Sequence, residues 1–135
     1  AALIRPALAD GKTVISDRFD SSTFAMQVRG DEQANLEEFF WECRKATLGG
    51  FEPDAYIILD IPPELAKDRR VSRLNRIGHP KQDDRFDERG EDYQERVRVG
   101  YKEFAEKVDG HVVDASRSLE QKQADIWSIV EPLVR

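Results

Sequence analysis

A nearly continuous apolar run at residues 55–60 constrains the fold of this chain more than any other stretch. The run, Ala-Tyr-Ile-Ile-Leu-Asp, is typical of a strand covered on both faces, and Pro62 and Pro63 end it. A helical pattern follows from Glu64 to about Arg76. Shorter apolar runs at 13–16 and 111–114 alternate with further helical patterns. This alternation predicts an α/β fold with a parallel sheet flanked by helices.

Four other helices follow from apolar spacing and from residues that cap helix ends. The first covers residues 1–9 and ends at Gly11, and the second runs from Asp31, as its cap, to about Leu48. A long charged helix covers 88–108 and carries an apolar stripe at Tyr93, Val97, Gly100 or Tyr101, Phe104 and Val108. The last helix begins with a capping box at 118–121 and runs to about 134.

The composition favours a soluble protein. The 135 residues are enough for one domain, and a net charge of −6 disfavours nucleic-acid binding. We expect no membrane span, because no apolar run is long enough, and the first residues lack a secretory pattern. Cys43 is the only cysteine, which excludes an intrachain disulfide and fits a reducing cytoplasm. Its place in an apolar helical pattern predicts a buried side chain, and the two histidines are too far apart in sequence to suggest a zinc site.

An Asp-Arg pair follows the apolar run at 13–16. Ligands of open α/β sheets bind beyond the carboxyl ends of the strands, so this pair is a candidate phosphoryl-transfer site. Arg18 offers a planar fork of donors that fits a phosphate group, and Asp17 can hold Mg²⁺, directly or through water. Ser22 and Gln27 add groups that can bind a nucleobase or sugar. The alternative is a salt bridge at a strand end with no ligand.

Three arginines share one face of the helix after Pro63. Arg69, Arg73 and Arg76 are spaced i, i+4 and i+7, and an Asp-Arg-Phe-Asp sequence follows at 84–87. An arginine-bearing cover of this kind can neutralise charge on transferred phosphates and exclude water. The alternative is a solvated basic face paired with nearby acids.

The amino-acid sequence of residues 17–27 resembles the signature of thymidylate kinases. Asp-Arg-Phe at 17–19, Ser22, and Ala-Met-Gln at 25–27 carry the resemblance, with Met26 where the family usually has tyrosine. The segment from residue 59 to 87 is similar to the family's arginine-rich lid, at about 69–87. Ala-Ser-Arg at 115–117 resembles the turn that lies near the adenine in that family.

The resemblance implies phosphorylation of dTMP by ATP with Mg²⁺, in a P-loop-kinase-like three-layer architecture. By resemblance the catalytic residues would be Asp17, Arg18 and Arg73, with Asp17 at the Mg²⁺ ion. Arg18, Ser22 and Gln27 would bind dTMP. The residues that bind ATP from the lid side would be Arg69, Arg73, Arg76, Arg85 and Ala115. The resemblance also implies a cytoplasmic homodimer.

The glycine-rich phosphate loop of such kinases has no counterpart in these residues. The pattern Gly-x-x-x-x-Gly-Lys-Ser/Thr does not occur, and Gly-Lys-Thr at 11–13 is a chance match that leads into the predicted strand. We therefore expect 1–135 to be a single partial kinase domain, incomplete at the N-terminus, that lacks the family's first strand between 13–16 and 55–60. We expect such a chain to rearrange, dimerise or pair strands between copies.

Two other functions stay open. A deoxynucleoside kinase also uses an Asp-Arg pair but phosphorylates a neutral sugar hydroxyl. A non-catalytic nucleotide-binding or interaction module would explain the missing phosphate loop.

Overall fold

The computed structural model describes residues 3–77 and 89–134. Six α-helices, two strands, a π-helix and a 3₁₀ turn lie in these ranges. The helices are α1 (Ile4–Ala9), α2 (Asp20–Thr23), α3 (Glu37–Leu48), α4 (Pro63–Ile77), α5 (Gly90–Lys107) and α6 (Leu119–Val134). The π-helix covers Phe24–Gly30, the 3₁₀ turn covers Ala34–Leu36, and the strands are β1 (Ile57–Asp60) and β2 (His111–Asp114). None of the helices in the described ranges is long and apolar enough to cross a membrane.

The two strands pair in parallel, as the alternation of strand and helix patterns predicts. Their register places Ile57 beside His111 and Asp60 beside Asp114. Backbone hydrogen bonds continue past both ends of the ladder, because the His111 N–H donates to the Tyr56 carbonyl at 2.8 Å and the Ala115 N–H donates to the Asp60 carbonyl at 2.7 Å. Helix α5 contacts both strands, and α6 contacts β2. The carboxyl ends of β1 and β2 therefore meet at one edge of the sheet.

The predicted strand at 13–16 is wrong. This segment has no regular structure, and the Ile15 side chain is 90% exposed. A strand is stable only beside another strand that accepts its backbone hydrogen bonds, and the described sheet contains β1 and β2 alone. The same sheet leaves β1 incompletely covered, since Leu59 is 54% exposed. The expectation that β1 is buried on both faces is thus wrong for the described residues.

An aromatic cluster forms the centre of the core. Phe24 from the π-helix and Phe104 from α5 are fully buried, with ring centroids 5.9 Å apart. Trp41 of α3 stacks on Phe104 at 5.7 Å and 12°, and Tyr56 meets the edge of the same ring at 5.2 Å. The cluster joins the π-helix, α3, α5 and the residue before β1. From α3, Phe40 and Trp41 pack against this core, whereas Phe39, which was predicted to share the apolar face of the helix, is 62% exposed.

Helix α5 approaches the π-helix closely at two glycines. A Cβ atom at Gly100 would lie 2.8 Å from Arg29 Cβ and 3.0 Å from Ala25 Cα, and one at Gly30 would lie 2.7 Å from atoms of Tyr93 and Val97. These distances are shorter than van der Waals contact, so the two helices pack at this separation only with glycine at both positions. The predicted apolar stripe of α5 is confirmed, with Tyr93, Val97, Gly100 and Phe104 buried.

Three smaller predictions have mixed outcomes. The capping box is confirmed, because the Ser118 N–H donates to Gln121 Oε1 and the Gln121 N–H donates to Ser118 Oγ, both at 3.2 Å. The predicted cap at Asp31 is wrong, because its carboxylate pairs with Arg89 and α3 begins six residues later. Cys43 is exposed rather than buried, since the aromatic rings of α3 supply the face that packs on the core.

We expect Gly100→Ala to lower the free energy of unfolding by about 1–3 kcal/mol, because the new methyl group overpacks the α5–π-helix contact. Alanine is intrinsically about 1 kcal/mol more favourable than glycine inside a helix, so packing and propensity oppose each other here. Urea denaturation measures the difference. Val99→Ala, at the exposed neighbouring position, is the control and should change stability by about 0.5 kcal/mol or less. An unchanged or raised stability of Gly100→Ala would contradict the close contact.

Candidate active site

The Asp17–Arg18 pair lies in a bend between the irregular segment 12–16 and α2. Arg18 has φ +66°, in the left-handed region, and Ser16 Oγ donates a hydrogen bond of 2.9 Å to its carbonyl oxygen. Both side chains are exposed. Neither Asp17 nor Arg18 forms an ion pair with any of the side chains that the structure describes. The alternative of a purely structural salt bridge therefore finds no support in the described part of the chain.

The segment after Arg18 is anchored by Asp20, the first residue of α2. Asp20 Oδ2 accepts hydrogen bonds from Arg44 Nε at 2.7 Å and from the Tyr56 hydroxyl at 3.0 Å, while its Oδ1 accepts from the Ser21 N–H at 2.9 Å. Arg44 also donates two hydrogen bonds to Glu52, at 3.1 and 2.9 Å. This cluster ties the start of α2 to α3 and to the start of β1.

The contacts in this cluster raise the pKa values of Arg44 and Tyr56. Burial acts to lower the pKa of Arg44, but hydrogen bonds to Glu52, Tyr56 and Asp20 outweigh it and raise that pKa above its ordinary value. Burial, together with the carboxylate of Asp20, raises the pKa of Tyr56 to about 12. Arg44 is therefore a cation and Tyr56 a neutral hydrogen-bond donor at any physiological pH.

Ser22 and Gln27 differ in their surroundings. Ser22, in α2, is half-buried, and its Oγ lies 2.9 Å from the hydroxyl of Tyr101 in α5. Gln27, in the π-helix, is exposed. Met26 packs against a buried cluster of Ala25, Tyr93 and Val97, so it has the packing role expected of a bulky apolar residue.

Two residues predicted to bind ATP meet at the carboxyl edge of the sheet. Arg69 Nη1 donates to the Ala115 carbonyl at 2.6 Å, and Arg69 Nη2 donates to the Ser116 carbonyl at 2.8 Å. These bonds connect α4 to the turn after β2. Arg73 and Arg76 lie in α4 as predicted, but their side chains are outside the described residues, as is Arg85 entirely.

An ion pair at the end of β1 was not predicted from the sequence. Arg98 of α5 donates to Asp60 Oδ1 at 2.6 Å and to Oδ2 at 3.0 Å, and Lys102 Nζ lies 3.6 Å from the same carboxylate. The hydrogen bonds from Arg98 hold the pKa of Asp60 below its usual range. The pair fixes the strand end from which the chain turns into α4. Its partners are 38 positions apart, and no spacing rule connects them.

Asp17 fits the chemistry of a magnesium ligand. In the described ranges, no group of three or more His, Cys, Asp or Glu side chains is close enough to enclose a metal ion. Mg²⁺ in phosphoryl-transfer sites is commonly held by one or two carboxylates, water and the phosphates of the substrates. The exposed carboxylate of Asp17 could supply one such ligand.

Comparison with known proteins identifies a family. The family model described as thymidylate kinase matches residues 1–126. The chain is 35% identical to the thymidylate kinase of Desulfovibrio desulfuricans over 135 residues, which cover 98% of the chain and 61% of the relative. It is 38% identical to the enzyme of the same name from Symbiobacterium thermophilum, covering 97% of the chain and 58% of the relative. The chain thus spans about three fifths of these relatives' length. The family has the P-loop kinase fold, which confirms the predicted α/β class.

We expect Asp60→Asn to destabilise the chain by about 1–3 kcal/mol at pH 7, because it removes the charged acceptor of Arg98. The folded-state pKa of Asp60 is lowered, so its contribution is present above the unfolded pKa of about 3.9 and is lost as the pH falls through the folded value. The difference between variant and wild type should therefore shrink below about pH 4. Urea denaturation at a series of pH values measures it.

Glu91→Gln provides the control for this measurement. It removes the same charge from an exposed pair with Lys67, whose atoms are 3.5 Å apart, and should change stability by about 0.5 kcal/mol or less. A difference for Asp60→Asn that persists unchanged at pH 3 would contradict an ionic origin.

Proposed function

This chain belongs to the thymidylate kinase family, and we propose that it carries the dTMP-binding and lid parts of an enzyme that transfers the γ-phosphoryl group of ATP to dTMP. The proposal includes a lid at about 69–87 and a single kinase domain to which all 135 residues contribute. A cytoplasmic location and a homodimeric state belong to the same proposal. They rest on the single cysteine and on the family resemblance.

The exposed guanidinium of Arg18 is the observation that supports this function best. Arg44 and Arg98 of the core elements already pair with carboxylates, and Arg69 donates its hydrogen bonds to two carbonyl oxygens. Arg18 has no such partner in the described ranges. A guanidinium left without a protein anion can donate two parallel hydrogen bonds to the oxygens of a phosphate group. Arg18 would therefore bind the phosphate of dTMP.

The remaining predicted residues fit around that anchor. Asp17 would hold Mg²⁺, which supplies charge neutralisation between the ATP phosphates when bound. Ser22 and Gln27 would contact the nucleoside. On the ATP side, Ala115 would lie near the adenine, and the arginines at 69, 73, 76 and 85 would approach the phosphates when the lid closes.

The chemistry requires positioning more than proton transfer. A phosphate monoester dianion is already a nucleophile, so no side chain has to act as a general base on it. Arg18 would hold the attacking phosphate in line with the γ-phosphoryl group, and arginines of the lid would neutralise charge that develops during transfer. In this scheme the rate of phosphoryl transfer depends on the positioning by Arg18 and on the charge neutralisation by the lid arginines.

Nucleotide binding without turnover is the second candidate for these residues by themselves. No Gly-x-x-x-x-Gly-Lys-Ser/Thr sequence occurs among the 135 residues, and ATP transfer in this family's fold depends on such a loop. The chain would then bind dTMP but not convert it. Binding and turnover are therefore measured separately.

We expect Arg18→Ala to weaken dTMP binding by about 10- to 100-fold, because it removes a charge-assisted bidentate contact with the phosphate. Calorimetric titration of the 135-residue chain measures the affinity. Lys12→Ala removes one positive charge from an exposed side chain nearby in sequence and should leave the affinity unchanged. Equal affinities in wild type and Arg18→Ala would remove Arg18 from the site.

Titration with thymidine separates the proposed function from a deoxynucleoside kinase. A dTMP site that depends on Arg18 binds dTMP more tightly than thymidine, and Arg18→Ala abolishes the preference. A deoxynucleoside kinase site would bind thymidine at least as tightly as dTMP. That result would overturn the proposed acceptor.

A further inference from the structure

One hydrogen bond joins a predicted substrate-binding residue to a residue outside the predicted site. The hydroxyl of Tyr101 lies 2.9 Å from Ser22 Oγ, although the two residues are 79 positions apart. Tyr101 belongs to α5, and its ring packs against the buried cluster of Ala25, Tyr93 and Val97. Both side chains are half-buried. Tyr101 therefore reaches the candidate site from a helix that carries none of the predicted ligands.

The surroundings restrict both partners of this bond. The Ser22 N–H donates to the Phe19 carbonyl at 3.2 Å, so the backbone of Ser22 is held in the first turn of α2. The neighbouring Gly100 sets the distance between α5 and the π-helix, because a Cβ there would lie 2.8 Å from Arg29. The ring of Tyr101 is thereby fixed relative to α2. A serine side chain has three staggered rotamers, and the bond to Tyr101 selects one of them.

We propose that Tyr101 is a positioning residue of the nucleotide site, which holds the Ser22 hydroxyl in the orientation that contacts the nucleoside part of dTMP. This inference rests on the proposed function. A hydroxyl group has one donor hydrogen and two acceptor lone pairs, so Ser22 Oγ bonded to Tyr101 keeps capacity for a polar group of the nucleoside. Tyr101 acts through Ser22 and makes no contact with the substrate.

The hydrogen bond is better suited to orientation than to stability. Because both hydroxyls are half-buried, water can replace either partner when the other is removed, and the net effect on folding is small. A fixed hydroxyl, by contrast, contacts a ligand without first losing rotamer freedom. The effect of Tyr101 should therefore appear in ligand affinity.

A double-mutant cycle tests this role in the full 135-residue chain. The variants are Tyr101→Phe, Ser22→Ala and the double variant, each titrated calorimetrically with dTMP and with thymidine. We expect Tyr101→Phe to weaken dTMP binding roughly 2- to 10-fold, Ser22→Ala to weaken it at least as much, and the double variant to equal Ser22→Ala. The preference for dTMP over thymidine should be the same in wild type and Tyr101→Phe, because the phosphate contact is untouched.

Each other outcome of the cycle contradicts the proposal in a distinct way. A loss that persists when Tyr101→Phe is added to Ser22→Ala would mean that Tyr101 contacts the substrate directly. Lower stability in urea with unchanged dTMP affinity would mean that the bond is structural only.

Tyr93→Phe is the matched control, because it removes a hydroxyl from the same helix and the same apolar cluster. It should leave dTMP affinity unchanged, and an equal loss would assign the effect to the packing of α5. No binding of dTMP by the wild-type chain would overturn the proposed function and this role together. Binding by wild type without coupling between Ser22 and Tyr101 would overturn this role alone.

Discussion

The close packing of α5 on the π-helix is the constraint on which the rest of the structure depends. Gly30 and Gly100 allow the two backbones to approach, and the fully buried Phe24 and Phe104 pack across the same contact. From that position α5 reaches in several directions: Arg98 holds the end of β1, Tyr101 reaches Ser22, and Glu103 pairs with Arg29 of the π-helix. One helix therefore sets the distance between the sheet and the segment that carries the candidate dTMP ligands.

Much of this fold could be predicted from local patterns. The apolar stripe of α5, the capping box before α6 and the parallel pairing of β1 with β2 all follow from spacing and end residues. Local patterns could not show whether residues 13–16 form a strand. A strand needs a neighbouring strand to pair with, and an apolar run does not indicate whether that neighbour is present. Cys43 shows a related limit. Its helix has more apolar residues than one buried face can hold, and the larger rings occupy that face.

In the candidate site, too, the residues that are close together in sequence could be predicted and their distant partners could not. Asp17, Arg18, Ser22 and Gln27 lie within eleven consecutive residues, and their order alone carries the resemblance to thymidylate kinases. The residues that support them come from far along the chain: Arg44 pairs with Asp20 across 24 positions, and Tyr101 bonds to Ser22 across 79. No periodicity relates such partners, so only a three-dimensional structure assigns them. Sequence reasoning proposed the groups that would contact a ligand, and it did not identify the residues that hold these groups in place.

The backbone at Arg18 has a consequence for how the chain balances stability against binding. A φ of +66° is a conformation in which glycine is comfortable and any other residue costs about 1–2 kcal/mol. The folded state therefore carries strain at the residue whose side chain would bind the phosphate. Glycine would relieve the strain and remove the guanidinium in the same step. At position 18 the folded state is therefore less stable with arginine than it would be with glycine. The difference in free energy is the cost of holding a cation exposed to solvent at this position.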